Sequence, residues 1–200
     1  LCRFYWPNVI DPNFAYGEGI LLQLRSAVSH VNEVWAIETG GAILNAFANV
    51  LDWEFTLDAA RWTYDEARHT LMGYERLTGW GFTPDEIPLG TYIFDSARGE
   101  PAIIRMGMLH YFETKNIGKK TDRAEAFASY HDEVSQHDME FDWADETIHA
   151  HYGAKWLKVL QQKFPDLPDS DAIHERCDAL VNALIETATD EDRRQIYAIE

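Results

Sequence analysis

The stretch Asp65-Glu66-Ala67-Arg68-His69-Thr70-Leu71-Met72-Gly73 returns 80 residues later as Asp145-Glu146-Thr147-Ile148-His149-Ala150-His151-Tyr152-Gly153, the two sharing the pattern Asp-Glu-x-x-His-x-x-x-Gly. Each copy also has a glutamate 33 positions ahead of its own, Glu33 for Glu66 and Glu113 for Glu146. On a helix, residues three apart share a face at roughly 5 to 6 Å, so Glu66 with His69, and Glu146 with His149, can each grip a cation from one helix. One Glu from each of two helices, with a Glu-x-x-His pair from each of two others, is how a four-helix bundle holds two metal ions. A single Glu-x-x-His is common on solvated helix faces. Two copies matched in the flanking Asp, the trailing Gly and the upstream Glu are not.

The charges of such a set cancel. Four carboxylates and two divalent cations make a neutral unit, which a low-dielectric interior tolerates where unpaired charges would be very costly. Mixed carboxylate and imidazole ligation favours iron first and manganese second over the thiolate-rich surroundings of structural zinc. A ligating His usually donates its free ring N–H to a carboxylate, and Asp65 and Asp145 are placed to accept that bond across the bundle.

Apolar residues keep helical spacing from about 15 to 49, through Leu21, Leu24, Val28, Val31, Trp35 and Leu44, which predicts a first helix. A turn at 49–53 leads to a second helix over about 54–78, stopped by Gly79 and Gly81. Glu33 and Glu66 then stand about equally far from the turn, level in an antiparallel pair. Glu38 rivals Glu33, because it continues the stripe from Val31 and Trp35. It has no counterpart in the second half, where position 118 is Gly. Both stay candidates, with Glu38 as the first-helix ligand or as an additional one.

Pro84, Pro88, Gly90 and Gly99 mark a long crossover over 81–100. A third helix is expected from Pro101 to Lys115, ahead of Gly118. Residues 122–161 are again helical in pattern, but as one rod they would span roughly 60 Å, too long for this chain. A break is therefore expected between about Ala128 and Gln136. Pro165 and Pro168 mark a loop, Asp169 or Ser170 caps a fifth helix to about Thr187, and Thr189 or Asp190 starts a short last one. The expected architecture is an all-α four-helix bundle with a long crossover and one or two extra C-terminal helices. It forms one domain over 1–200, with the core bundle at about 15–161 and the C-terminal helices at about 170–200.

The formal net charge of −17 speaks against nucleic acid or an anionic membrane as partner, since both call for a positive surface. Cys2 and Cys177 encode neither a disulfide framework nor a Cys-x-x-Cys module. No apolar run approaches the roughly 18 residues that span a bilayer, and no signal-peptide pattern opens the chain, so a cytoplasmic location is the default expectation. The chain opens at Leu1 rather than Met, so both ends are read as open to extension. His110, one turn before Glu113, and Asp142, one turn before Glu146, could back the ligands. His30, His131, His137 and His151 have ordinary surface or core roles. Trp62, Tyr64, Met106 and Met108 fall near the site by helical spacing, where core packing is the usual role and lining a pocket or carrying a radical the special one.

These residues resemble the ferritin-like superfamily, and Asp65-Glu66-Ala67-Arg68-His69 is similar to the Asp-Glu-x-Arg-His signature of bacterial di-iron monooxygenases. The second copy lacks the arginine. Closer is the ferritin-like family catalogued as domain of unknown function 455. It is similar around Asn32-Glu33-Val34-Trp35-Ala36-Ile37-Glu38, around Phe112-Glu113-Thr114-Lys115-Asn116-Ile117-Gly118, and around Asp145-Glu146-Thr147-Ile148-His149 with Gly153 and Trp156. Where that family has a His directly ahead of its first Glu region, this chain has Val31 and Asn32. The resemblance implies a ferritin-like bundle and a metal centre.

Two iron ions, or manganese as the variant, are thus the expected cofactor, with Glu33 or Glu38, Glu66, His69, Glu113, Glu146 and His149 as ligands. The expected function is an oxidase or oxygenase that uses O2, or peroxide in the manganese case, on a small organic substrate. Electrons come from an external donor, because the chain shows no flavin, nicotinamide or iron–sulfur motif; a homodimer is an open expectation. Iron storage or detoxification, a non-catalytic metal-binding protein, and a metal-free carboxylate cluster are the competing readings, and fold alone does not choose among them.

Overall fold

The computed structural model describes residues 19–87 and 89–190, and in it the first apolar stripe is divided into α1 (Ile20–Val31) and α2 (Val34–Phe47). The expected single helix is therefore interrupted, at Asn32 and Glu33. Asn32 accounts for the break: its Nδ2 donates to the Val28 carbonyl at 2.9 Å, and its Oδ1 accepts the Gly90 N–H of the crossover at 2.8 Å. The Glu33 N–H reaches back only three residues, to the His30 carbonyl at 3.0 Å. Such a tightened turn re-aims the side chain that follows, and that side chain is the first candidate ligand. Residues 15–18 of the expected helix lie outside the described residues.

α3 (Trp53–Gly79) begins where Asp52 Oδ1 accepts the Phe55 N–H at 3.1 Å. It ends in a glycine stop: Gly81 takes φ +95°, and the Phe82 and Gly81 N–H groups bond the Leu77 and Thr78 carbonyls at 3.1 and 3.0 Å. The crossover holds a single 3₁₀ turn at Pro84–Glu86 and a short helix, α4 (Tyr92–Ser96).

α5 (Ala102–Ser129) corrects the expected end at Lys115. The helix runs straight through Gly118, where an added Cβ would meet nothing within 4 Å, and stops at Tyr130–Asp132, inside the expected break. The stop has the same bonding as that of α3, with His131 at φ 58° in the glycine position and the Asp132 N–H on the Phe127 carbonyl at 3.0 Å. Asp132 then caps α6 (Glu133–Lys163) through the Ser135 N–H, and Asp169 caps α7 (Ser170–Ile185) through the Ala172 N–H at 2.8 Å. The short last helix falls almost wholly outside the described residues.

The α1–α2 rod packs on α3, α5 packs on α6, and the pairs join through α2 with α5 and α3 with α6. α7 lies along α5, where Gly107 leaves room for Ile173 and buries Cys177. The main core includes Phe55, Trp62, Met106, Met108, Trp156 and Leu160. Each such burial is worth about 1.5 to 3 kcal/mol. The trailing glycines of the two motifs mark close contacts between helices. A Cβ on Gly73 would stand 2.3 Å from the Ala27 carbonyl oxygen and 2.5 Å from the Val31 nitrogen, and one on Gly153 would stand 2.4 Å from His110 Nδ1. With this spacing the inward-facing polar residues of four rods meet at one level. Among the described residues there is no strand and no helix long and apolar enough to cross a membrane.

Candidate metal centre

Glu66 and His69 point inward from α3, and Glu146 and His149 from α6, with all four buried. Glu33 enters from the α1–α2 break and Glu113 from α5. The two imidazoles turn their Nδ1 atoms toward the carboxylates: His69 Nδ1 is 3.2 Å from Glu33 Oε2, and His149 Nδ1 is 3.1 Å from Glu66 Oε1. Two groups of side chains have ligand atoms within 4.8 Å of one another and could each hold a metal ion. One is Glu33, His69, Asp142 and Glu146; the other is Glu66, Glu113, Glu146 and His149. Glu146 is common to both.

The opposite ring nitrogens face away from the cluster and cross between helices. His69 Nε2 is 3.2 Å from Asp145 Oδ2, and His149 Nε2 is 3.3 Å from Asp65 Oδ2. Arg68 bonds both aspartates, reaching Asp145 Oδ2 at 2.7 Å, and Arg61 Nε bonds Asp65 Oδ2 at 2.6 Å. Burial would raise the Asp65 carboxyl, but its bonds to His149, Arg61 and Arg68 bring it below the usual range. It is thus held as the ionised acceptor that fixes the ring.

Without a metal, protons must supply the positive charge. Burial works against imidazolium, yet the surrounding carboxylates outweigh it, raising His69 well above its ordinary value and pushing His149 up to about 11. Burial and the neighbouring Glu66 carboxylate push Glu113 up to about 7, while His149 and His69 hold Glu66 low against the opposing effect of burial. Even so, Glu33 Oε2, Glu66 Oε1, His69 Nδ1, Glu113 Oε2 and His149 Nδ1 are buried without a hydrogen-bond partner of acceptable geometry. Buried polar atoms are rarely left so. Five of them converging, all metal-ligand atom types, is the donor set a pair of hard or borderline divalent cations takes.

The structure does not bring Glu38 to this cluster. It sits on the exposed side of α2, its carboxyl raised by partial desolvation and by Asp95. The tightened turn at Asn32–Glu33 is the reason, because it rotates the helix so that Glu33 faces inward. His110 lies against Gly153 and the His174 ring, and burial lowers it to about 4. Met106 and Met108 are core residues, whereas Tyr64 is exposed and lies under Arg68.

Four neighbours make contacts at the cluster that the sequence reading did not specify. Trp62 donates its Nε1–H to Glu113 Oε1 at 3.0 Å. Lys120, buried, bonds Asp142 Oδ1 at 2.5 Å and lies 3.0 Å from Glu146 Oε1. His30 Nε2 bonds Asp142 Oδ2 at 3.0 Å, and Arg76 lies 2.5 Å from His30 Nδ1. Arginine can only donate, so His30 Nδ1 accepts and Nε2 carries the proton; burial, the largest effect on this ring, lowers its pKa and agrees with a neutral form. Burial would raise Asp142, but the Lys120 ammonium and the His69 and His30 rings hold it well below its ordinary value.

The signal that would have found several of these is the same 80-residue period. His30 and His110 each precede a candidate Glu by three residues, and each is the histidine that packs near a motif glycine. Asp58 and Asp138 match as well: Trp156 Nε1 donates to Asp58 Oδ2 at 2.9 Å, and Arg76 Nε pairs with Asp138 Oδ2 at 3.1 Å, with Arg76 and Trp156 again 80 apart. Trp62 and Asp142 are counterparts too.

The family model described as protein of unknown function (DUF455) matches residues 20–196, and the chain belongs to that family. No curated protein and no solved structure matches it.

Proposed function

We propose that this member of the DUF455 family is a dinuclear metal protein, di-iron by first preference and di-manganese by second, acting as an O2-dependent oxidase or oxygenase on a small organic substrate. The ligands are Glu33, Glu66, His69, Glu113, Glu146 and His149, with Asp142 beside the Glu33 and His69 half. The observation that carries the reading is the pair of largely buried carboxylate and imidazole groups that share Glu146, each with its ligand atoms within 4.8 Å of one another. Two iron ions held there would supply reductive activation of O2, chemistry that side chains lack.

The chain's own residues prepare the site for that chemistry. Asp145 and Asp65 hold His69 and His149 with Nδ1 inward. The Trp62 N–H steadies one oxygen of Glu113 and leaves the other for a cation. Lys120 offsets Asp142, and Arg61 and Arg68 offset Asp65 and Asp145, so the layers around a neutral metal–carboxylate unit are themselves neutral. A cavity of about 270 Å³ reaches Glu33, Glu66, Glu113 and Glu146 and is walled in part by Trp35, Tyr92, Ile93 and Phe112. A cavity that sets apolar side chains beside the ligands favours catalysis on an organic molecule over storage, which needs no such pocket. Electrons come from an outside donor. Cys177, the described cysteine, is buried in the core with its thiol pushed up to about 12, chiefly by burial, and is in no state to relay them.

Elemental analysis of the purified protein, followed by an anaerobic ferrous titration with absorbance read on admitting air, tests the proposal. About two irons per chain and a transient visible band are expected. Normal metal content in Glu66→Ala and His149→Ala would sink the ligand assignment.

A further inference from the structure

The chain carries net charge −17, yet the cavity lining includes a stripe of cations, of which Lys115 is exposed and Lys119 half-buried. Lys115, Lys119 and Arg123 follow one another at four-residue intervals along α5, and Lys120 adds a fourth cation to the lining. Residues four apart on a helix stack on one face, so these charges share one side of the opening. The acids of the lining are Glu33, Glu66, Glu113, Asp142, Glu146 and Asp178. With two divalent ions bound, six acids and four bases leave the cavity a formal excess of two positive charges, inside a strongly anionic chain. In a partly enclosed space this excess is screened less than on an open surface. The lining also offers Trp35, Ile93, Phe112 and Val181 to an apolar body.

We propose that the cavity binds a small amphiphilic anion, most simply a carboxylate. Its acid group lies at the Lys115–Lys119 rim, and its apolar body lies on Trp35, Ile93 and Phe112, facing the cluster. The inference rests on the dinuclear reading and adds the substrate class to it. The strongly negative chain repels such a ligand in general, so binding at this rim should strengthen when the ions are present.

The test uses zinc-loaded and metal-free full-length protein, zinc being redox-inert so that binding is read without turnover. Metal content is measured first. Three probes with one body and different heads, 3-phenylpropanoate, 3-phenylpropan-1-ol and 3-phenylpropan-1-amine, are then titrated calorimetrically. On the loaded protein the acid should bind at least about tenfold more tightly than the alcohol or the amine, a difference of about 1.4 kcal/mol. On the metal-free protein that advantage should shrink. Lys115→Glu/Lys119→Glu, and the milder Lys119→Gln, should keep full metal content and lose most of the acid's advantage. Equal or tighter binding of the amine to the loaded protein overturns the inference while leaving the metal centre standing. A preference for the acid that survives the rim variants places the acid group on the metals and overturns the rim assignment. Failure to load two ions overturns the dinuclear reading, and the inference with it.

Discussion

Replacing Gly73 with alanine should destabilise the protein, and replacing Gly118 should do the opposite. Both glycines lie inside long helices, α3 and α5, so in isolation each change would gain about 1 kcal/mol of helix propensity. At Gly118 that gain is all there is, because the new methyl meets nothing within 4 Å. A rise of roughly 2 to 4 °C in Tm should follow for a chain of this length. At Gly73 the new Cβ would be 2.3 Å from the Ala27 carbonyl oxygen and 2.5 Å from the Val31 nitrogen. Both are backbone atoms that cannot rotate aside, so α1 must retreat by about 1 Å to restore ordinary contact. Overpacking of this kind costs about 1 to 3 kcal/mol, and after the propensity gain a net loss of up to about 2 kcal/mol remains. Because Glu33 stands two residues beyond Val31, the same retreat draws it away from His69. Urea and thermal denaturation of the metal-free proteins, with metal content of the loaded ones, should show Gly118→Ala stabilised and fully loaded. Gly73→Ala should be destabilised and short of metal at the Glu33–His69 half. A Gly73→Ala protein as stable and as fully loaded as wild type would refute the close approach as the reason for the motif glycine.

Asp145→Asn should leave the fold intact but free the His69 ring, lowering metal affinity by about 10- to 100-fold in a competition assay with a chelator; an unchanged affinity would remove Asp145 from its orienting role. Lys120→Met leaves Asp142 buried without its cation, and breaking a buried pair in this way costs about 3 to 5 kcal/mol. Urea unfolding of the metal-free variant at wild-type midpoint would contradict the pairing. Metal affinity should rise with pH, because metal must displace the protons held by His69 and His149, both raised in the metal-free cluster, and below about 7 also that of Glu113. The plot of log affinity against pH should therefore steepen from a slope of about two to about three as pH falls through 7. A flat profile between pH 6 and 8 would show that the imidazoles hold no displaceable protons.

How much of this was legible in the sequence depends on whether the feature repeats. The two Asp-Glu-x-x-His-x-x-x-Gly copies and their upstream glutamates marked the residues that the fold gathers, because helical spacing turns a sequence interval directly into a face. The crossover and the cap at Asp169 were legible for the same local reason. The end of α5 was not. Gly118 looked like a stop, but an interior glycine with open space around it costs only about 1 kcal/mol, which the packing of α5 on α6 easily offsets. The true stop uses His131 in a left-handed conformation that glycine or asparagine usually takes. The break at Asn32 was also hidden, since it depends on the Gly90 N–H, 58 positions away. That break decides between Glu33 and Glu38, so the doubtful ligand and the unpredicted break have one cause. Trp62 fell near the site by helical spacing, but its bond to Glu113, like that of Lys120 to Asp142, crosses helices and has no local signal.

The two halves have kept the ligands and diverged around them, and the divergence bears on chemistry. Where the second half supplies Asp142 to the Glu33–His69 group, the first half supplies Trp62 to Glu113. Arg76, buried against His30 and Asp138, has Trp156 as its counterpart, bonded to Asp58. One candidate ion position thus sits among charged, hydrogen-bonding groups, with Lys120 at hand, and the other among indole rings. A carboxylate-rich, protonatable environment stabilises the higher charge of a cation, whereas an apolar one disfavours any change in net charge. Two identical ions placed there would differ in affinity and in redox behaviour, although the ligand pattern that first reveals them is symmetric. Lys120 also stands on the charged half, bonded to Asp142, so an ion held by Glu33 and His69 would be the one with an ammonium beside it.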